Sequence, residues 1–138
     1  MLSIDNLNIS LYYLNIIFYF DMLRYKYYDE REKTEHTWID SSSIFYTKMV
    51  ESPTDNKGDL YVTFKTGATY LYKDVAFEDY VLFIGGGTDF SQGKTLNKII
   101  KPKYQVEKMK KGPTIQELNE QLETILKPKP IDNQDISA

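Results

Sequence analysis

The chain has 138 residues, 27% charged and 41% hydrophobic, the balance of one soluble globular domain. It has no cysteine and one histidine, His36, which excludes a disulfide framework, a thiolate metal site and a cysteine nucleophile, and argues against a multi-histidine zinc site. A net charge of -3 disfavours non-specific DNA binding unless the basic residues are segregated.

In chain order, residues 7–20 form an apolar run too short for a membrane helix, and nothing around it resembles a signal peptide. Three readings stay open for it: a core or edge element, a partner-binding arm, or an upstream extension with a true start at Met22. The charged stretch 29–35 reads as a solvated loop or helix end. Residues 44–50 suit a strand, and 52–59 are a turn cluster. Leu60, Val62 and Phe64 alternate with Tyr61, Thr63 and Lys65, the period of a half-buried strand. Thr66-Gly67 turns the chain into a third strand, where Tyr70 and Tyr72 share a face.

A short helix is expected over 76–84, with Asp74 as its cap and Gly85-Gly86-Gly87 as its end. Ser91 is placed to cap a second helix running to about Ile100, where Pro102 stops it. Residues 104–110 suit a last strand. Thr114-Ile115-Gln116-Glu117 has the spacing of a capping box, opening an amphipathic helix with Ile115, Leu118, Leu122, Ile125 and Leu126 on one stripe. The expected class is α+β: an antiparallel sheet of three to four strands packed by two short helices, with an apolar N-terminal segment and an extra C-terminal helix. The expected organisation is an extension over 1–37, a domain over 38–110, a helix over 113–127 and a disordered tail over 128–138.

Charge is strongly segregated. Between Lys94 and Lys111 seven lysines face one acid, Glu107, so that window is +6 and the remainder -9. On an ideal helix Lys94, Asn97, Lys98 and Lys101 share one face, and Leu96, Ile99 and Ile100 point away. The N–H groups at Ser91-Gln92-Gly93 favour phosphate or carboxylate, and Phe90, Phe83 and Tyr72 offer a stacking face for a base. The competing reading is an ordinary solvated helix face with Phe90 as a hydrophobic staple.

Residues 87–95 imitate a phosphate-binding P-loop, but five residues rather than four separate the glycines, and a helical segment precedes them. His36 beside Trp38 reads as a packed or solvated histidine, and Asp40-Ser41-Ser42-Ser43 as turn and cap chemistry. Asp55, Asn56 and Asp59 fall short of a calcium loop, and the Asn8-Ile9-Ser10 sequon matters only in a secreted protein.

Three motifs in order resemble the KTSC domain, a small module named for the C-terminal region of some lysyl-tRNA synthetases. Ile39-Asp40-Ser41-Ser42-Ser43-Ile44 resembles its opening V-x-S-S-x-I. Leu60-x-Val62-x-Phe64-x-x-Gly67-x-x-Tyr70-x-Tyr72-x-x-Val75 resembles its central hairpin. Ser91-x-Gly93-Lys94, then Asn97-x-x-Ile100-Lys101-x-x-Tyr104, resembles its close. The match covers about residues 38–104, half the chain. It departs at Ala76, where proline is usual, and at Gly85-Gly86-Gly87, which looks inserted.

The resemblance implies an antiparallel sheet with two short helices. It extends to a phage Thoeris anti-defence group whose members bind and sequester nucleotide-derived immune signals such as cyclic ADP-ribose isomers. The expectation is a non-catalytic homo-oligomer in the cytoplasm of the host bacterial cell. No cofactor, metal, catalytic residue or membrane contact is expected. A small nucleotide-derived ligand, such as a cyclic ADP-ribose isomer or a cyclic oligonucleotide, would be held by Tyr72, Phe83, Phe90, Ser91, Gly93, Lys94, Asn97 and Lys101. The alternatives are an RNA- or DNA-binding module using the lysine face, and a phage protein-interaction or structural component.

Overall fold

A computed structural model describes residues 25–53, 56–87 and 91–127. The apolar run over 7–20, Phe90 and the tail expected to be disordered lie outside the described residues. Six strands form one antiparallel sheet in sequential order: β1 (Tyr25–Asp29), β2 (Thr34–Trp38), β3 (Ile44–Glu51), β4 (Lys57–Phe64), β5 (Thr69–Ala76) and β6 (Val106–Lys108). The helices are α1 (Phe77–Ile84), α2 (Gln92–Thr95), which runs on into a π turn over Leu96–Ile100, and α3 (Ile115–Leu126).

The α+β class and antiparallel pairing are as expected, but the sheet has six strands rather than three to four. The correction lies at β1 and β2. The charged stretch expected as a loop or helix end is a hairpin tip between them. Asp29 Oδ1 accepts from Arg31 N at 2.9 Å and Glu32 N at 3.2 Å, and Lys33 takes φ 51°. Strand β2 reads Thr-Glu-His-Thr-Trp and lacks apolar alternation, yet Thr34, His36, Thr37 and Trp38 are all buried. A strand covered on both sides need not alternate polar with apolar residues. The boundary expected at residues 37 and 38 falls within β2.

A bulge between Ile44 and Tyr46 sets the two faces of the sheet. It leaves Phe45 and Tyr46 together on one side, as an extra residue in a ladder does. On the first face Ile44, Met49, Leu60, Val62, Tyr72 and Val75 pack against Tyr80, Phe83, Leu96 and Ile100 of the first two helices. On the second face Trp38, Phe45 and Tyr46 pack against Leu118 and Leu122 of α3. Trp38 Nε1 donates to Leu118 O at 3.0 Å, so the indole polar tip is satisfied where the helix lies down. The capping box is formed: Thr114 Oγ1 accepts from Glu117 N at 3.0 Å, and Glu117 Oε1 accepts from Thr114 N at 3.3 Å.

The cap expected at Asp74 is absent. Ala76 occupies the N-cap of α1 without a side-chain bond, while Asp74 sits at φ 53° with its N–H on Asp59 Oδ1. Helix α1 is instead tied down by Asp79. Its Oδ2 accepts from Lys103 Nζ at 3.0 Å and from the Tyr104 hydroxyl, which itself accepts from Ala76 N at 3.1 Å. The Tyr104 bond, aided by Lys103, holds the Asp79 carboxyl below its usual range although burial opposes this. A carboxyl with a lowered folded-state pKa adds stability that is present above its unfolded value and lost as pH falls through its folded value. The Asp79→Asn variant is therefore expected to melt below the parent protein at pH 7, with the gap closing below about pH 4. Melting curves against pH check this, and a gap of constant size contradicts it.

Gly58 marks a close approach between β3 and β4. A Cβ there would lie 2.4 Å from Val50 O, a backbone atom that cannot swing aside. Gly58→Ala is expected to cost about 1–3 kcal/mol, the range of core overpacking. Urea unfolding measures it, and a change under 0.5 kcal/mol contradicts the close contact.

Candidate functional site

The β4–β5 hairpin carries the site. Gly67, at φ 96°, turns the chain so that Phe64 on β4 and Tyr70 and Tyr72 on β5 lie on the first face of the sheet. The Phe64 and Tyr70 rings meet edge to face, with centroids 5.6 Å apart at 84°. Tyr72 is almost fully buried, and burial, then the neighbouring Tyr70, pushes its phenol above the usual range, so it stays a neutral hydroxyl.

Beside these rings lies the turn before β3. Ser41 Oγ accepts from Ile44 N at 2.8 Å and Ser43 N at 3.2 Å, bearing out the turn reading for that residue. The turn leaves Ser42 and Ser43 facing a cavity of about 630 Å³, which sits within the range of small-molecule sites. Phe64, Tyr70 and Tyr72 form its aromatic wall, with Lys65 and Lys101 among its lining residues. Lys65 Nζ is 3.8 Å from Asp40 Oδ1, both side chains being well exposed, so this pair holds the lysine only weakly. Among the described residues no group of three or more His, Asp or Glu is arranged to hold a metal ion.

Of the eight residues expected to bind a ligand, Tyr72 and Lys101 line this cavity. Gly93 lies beside it: a Cβ there would come within 2.9 Å of Ser43 Oγ, so glycine lets the start of α2 approach the serine turn. Ser91 caps α2, its Oγ accepting from Lys94 N at 3.3 Å. Phe83 is fully buried in the core and Phe90 lies outside the described residues, so neither is placed at the cavity wall. Lys94 and Asn97 are exposed and do not line it.

The shared lysine face is broken by the π turn, in which Lys101 N donates to Leu96 O, five residues back instead of four. That wider turn changes the phase of the residues after it, and Lys101 lines the cavity while Lys94 does not. Ser42, Ser43, Phe64, Lys65 and Tyr70 were not expected at the site. The signal for Phe64 was its place in the period-two alternation with the hairpin tyrosines. Ser42 and Ser43 carried no local signal, because their neighbour Gly93 is far along the chain.

No family model matches the chain, and no curated protein matches it. No helix among the described residues is long and apolar enough to cross a membrane.

Proposed function

We propose that the protein is a non-catalytic binder that sequesters a small phosphate-bearing nucleotide. The observation that carries this reading is the 630 Å³ cavity, walled by Phe64, Tyr70 and Tyr72, with Lys65 and Lys101 contributing to its lining. The rings supply a stacking face for a base. The two ammonium groups, with the Ser42 and Ser43 hydroxyls, supply phosphate donors, each charged hydrogen bond worth about 1.5–3 kcal/mol. Positions from all three KTSC-like motifs (Ser42 and Ser43, the hairpin rings, and Lys101) line this cavity, as a site shared by those motifs would require. Isothermal titration against cyclic ADP-ribose isomers and cyclic di- and trinucleotides is expected to find a binder. Silence across that panel ends the proposal.

A second reading, binding of RNA or DNA, is favoured by one observation: Lys94, Lys98, Lys101, Lys103, Lys108, Lys110 and Lys111 are all exposed. A polymer contacting many lysines releases counterions and loses affinity steeply with salt, while a pocket ligand does so weakly. Gel shifts at two salt concentrations separate the two. The expected self-association is supported by Val81 and Leu82 of α1, which are 62% and 51% exposed. A monodisperse monomer in light scattering overturns it.

A further inference from the structure

The second face of the sheet carries two neighbouring cross-strand rows. One runs Tyr27, His36, Lys48, Tyr61 from β1 to β4, and the other runs Trp38, Tyr46, Thr63, Thr69 from β2 to β5. Leu118 of α3 packs on the second row at Trp38 and Tyr46. Between the sheet, Pro113 and Gln121 of α3 remains a hollow of about 230 Å³. It is separate from the cavity proposed to hold a nucleotide, which opens on the first face.

Its lining is unusually polar for a space between a sheet and a helix. Lys48 is half-buried, its Nζ 4.5 Å from the centre of the Tyr61 ring, and it has no carboxylate partner among the described residues. An ammonium that lines a hollow and has no carboxylate partner there is placed to pair with an entering anion. Thr63 Oγ1 and Thr69 Oγ1 are 2.8 Å apart, so one hydroxyl hydrogen is used between them and the other is left to donate. His36, largely buried, bonds through Nδ1 to the Tyr46 hydroxyl. Burial, with Lys48 next, lowers the His36 pKa, while Asp29 and Glu32 at the β1–β2 tip act weakly the other way. Burial pushes the Tyr46 phenol far up. Both groups are therefore neutral at pH 7, and Lys48 is the single cation of the site.

We propose that this hollow binds a small organic carboxylate, its charge on Lys48 and its body against the Tyr61 ring, Pro113 and Leu118. One cation matches a monoanion and leaves a phosphate dianion under-compensated. The volume equals about eight liquid waters, which limits the occupant to about the size of one ring with its carboxylate.

His36 is the only histidine, so its imidazole resonance reports on the site without overlap. Titration of the full chain with benzoate is expected to shift that resonance saturably, while benzamide and inorganic phosphate leave it in place. Lys48→Met is expected to weaken benzoate binding at least tenfold. Gln121→Glu, an exposed change on α3 that sets a competing carboxylate at the rim, is expected to do the same in a chain that folds. Lys101→Glu, at the other cavity, is expected to leave benzoate binding unchanged. No saturation by about 10 mM benzoate, equal binding of phosphate or benzamide, or full affinity in Gln121→Glu overturns the proposal.

Discussion

Replacing Trp38 by alanine is expected to remove about 3–5 kcal/mol of stability, the range for losing a fully buried large aromatic. The indole is 0% exposed and sits at the centre of the second core. Its ring centroid is 5.0 Å from that of Tyr46 and 6.2 Å from those of Tyr25 and His36. It also donates the hydrogen bond that fixes Leu118 of α3 to the sheet. Alanine removes all of these contacts at once, and they lie against the cluster on which α3 packs through Leu118, Leu122, Ile115 and Ile125. Trp38→Phe keeps most of the volume and drops the N–H, so its hydrogen-bond loss is expected at about 0.5–1.5 kcal/mol. Denaturant unfolding gives both numbers, and amide exchange over residues 115–126 reports release of the helix. Equal costs for the two variants, or unchanged exchange in the alanine variant, contradict this account.

The second large effect concerns ligand binding. The double variant Lys65→Glu with Lys101→Glu is expected to weaken the nucleotide found by titration by at least 100-fold. Two charged contacts of about 1.5–3 kcal/mol each sum to that factor or more. Lys101 is exposed and the Lys65 side chain is 44% exposed, so folding stability should change little beyond about 0.5 kcal/mol per site. Lys94→Glu is the matched control, since that lysine is exposed on α2 and does not line the cavity. It is expected to alter affinity less than about threefold, the scale of a screened surface charge. A control variant as damaging as the double variant would move the contact from a pocket to the whole lysine face, which is the nucleic-acid reading.

Ser42 and Ser43 show why the site was only half legible. They looked like turn residues, and Ser41 beside them is one. Their place at a cavity arises because Gly93 lets α2 come close to Ser43, a contact between segments far apart in sequence. Lys101 was legible as a basic residue near the site, but its separation from Lys94 follows from a π turn that an ideal helix period does not contain. The second hollow was invisible in the sequence, since His36, Lys48, Tyr61 and Thr63 meet only through strand register.

The chain alone determined what depends on near neighbours. The β4–β5 hairpin follows from period-two alternation and Gly67, α3 from its capping box and apolar stripe, and the start of α2 from Ser91. It also determined the segregation of lysines along the chain, which is a property of residue order. Tertiary structure alone decided that the polar stretch Thr34–Trp38 is a strand, because a helix on one face and the sheet's other core bury residues that local propensity would leave in water. Burial and register are set by the whole sheet at once, and no window of neighbouring residues contains them.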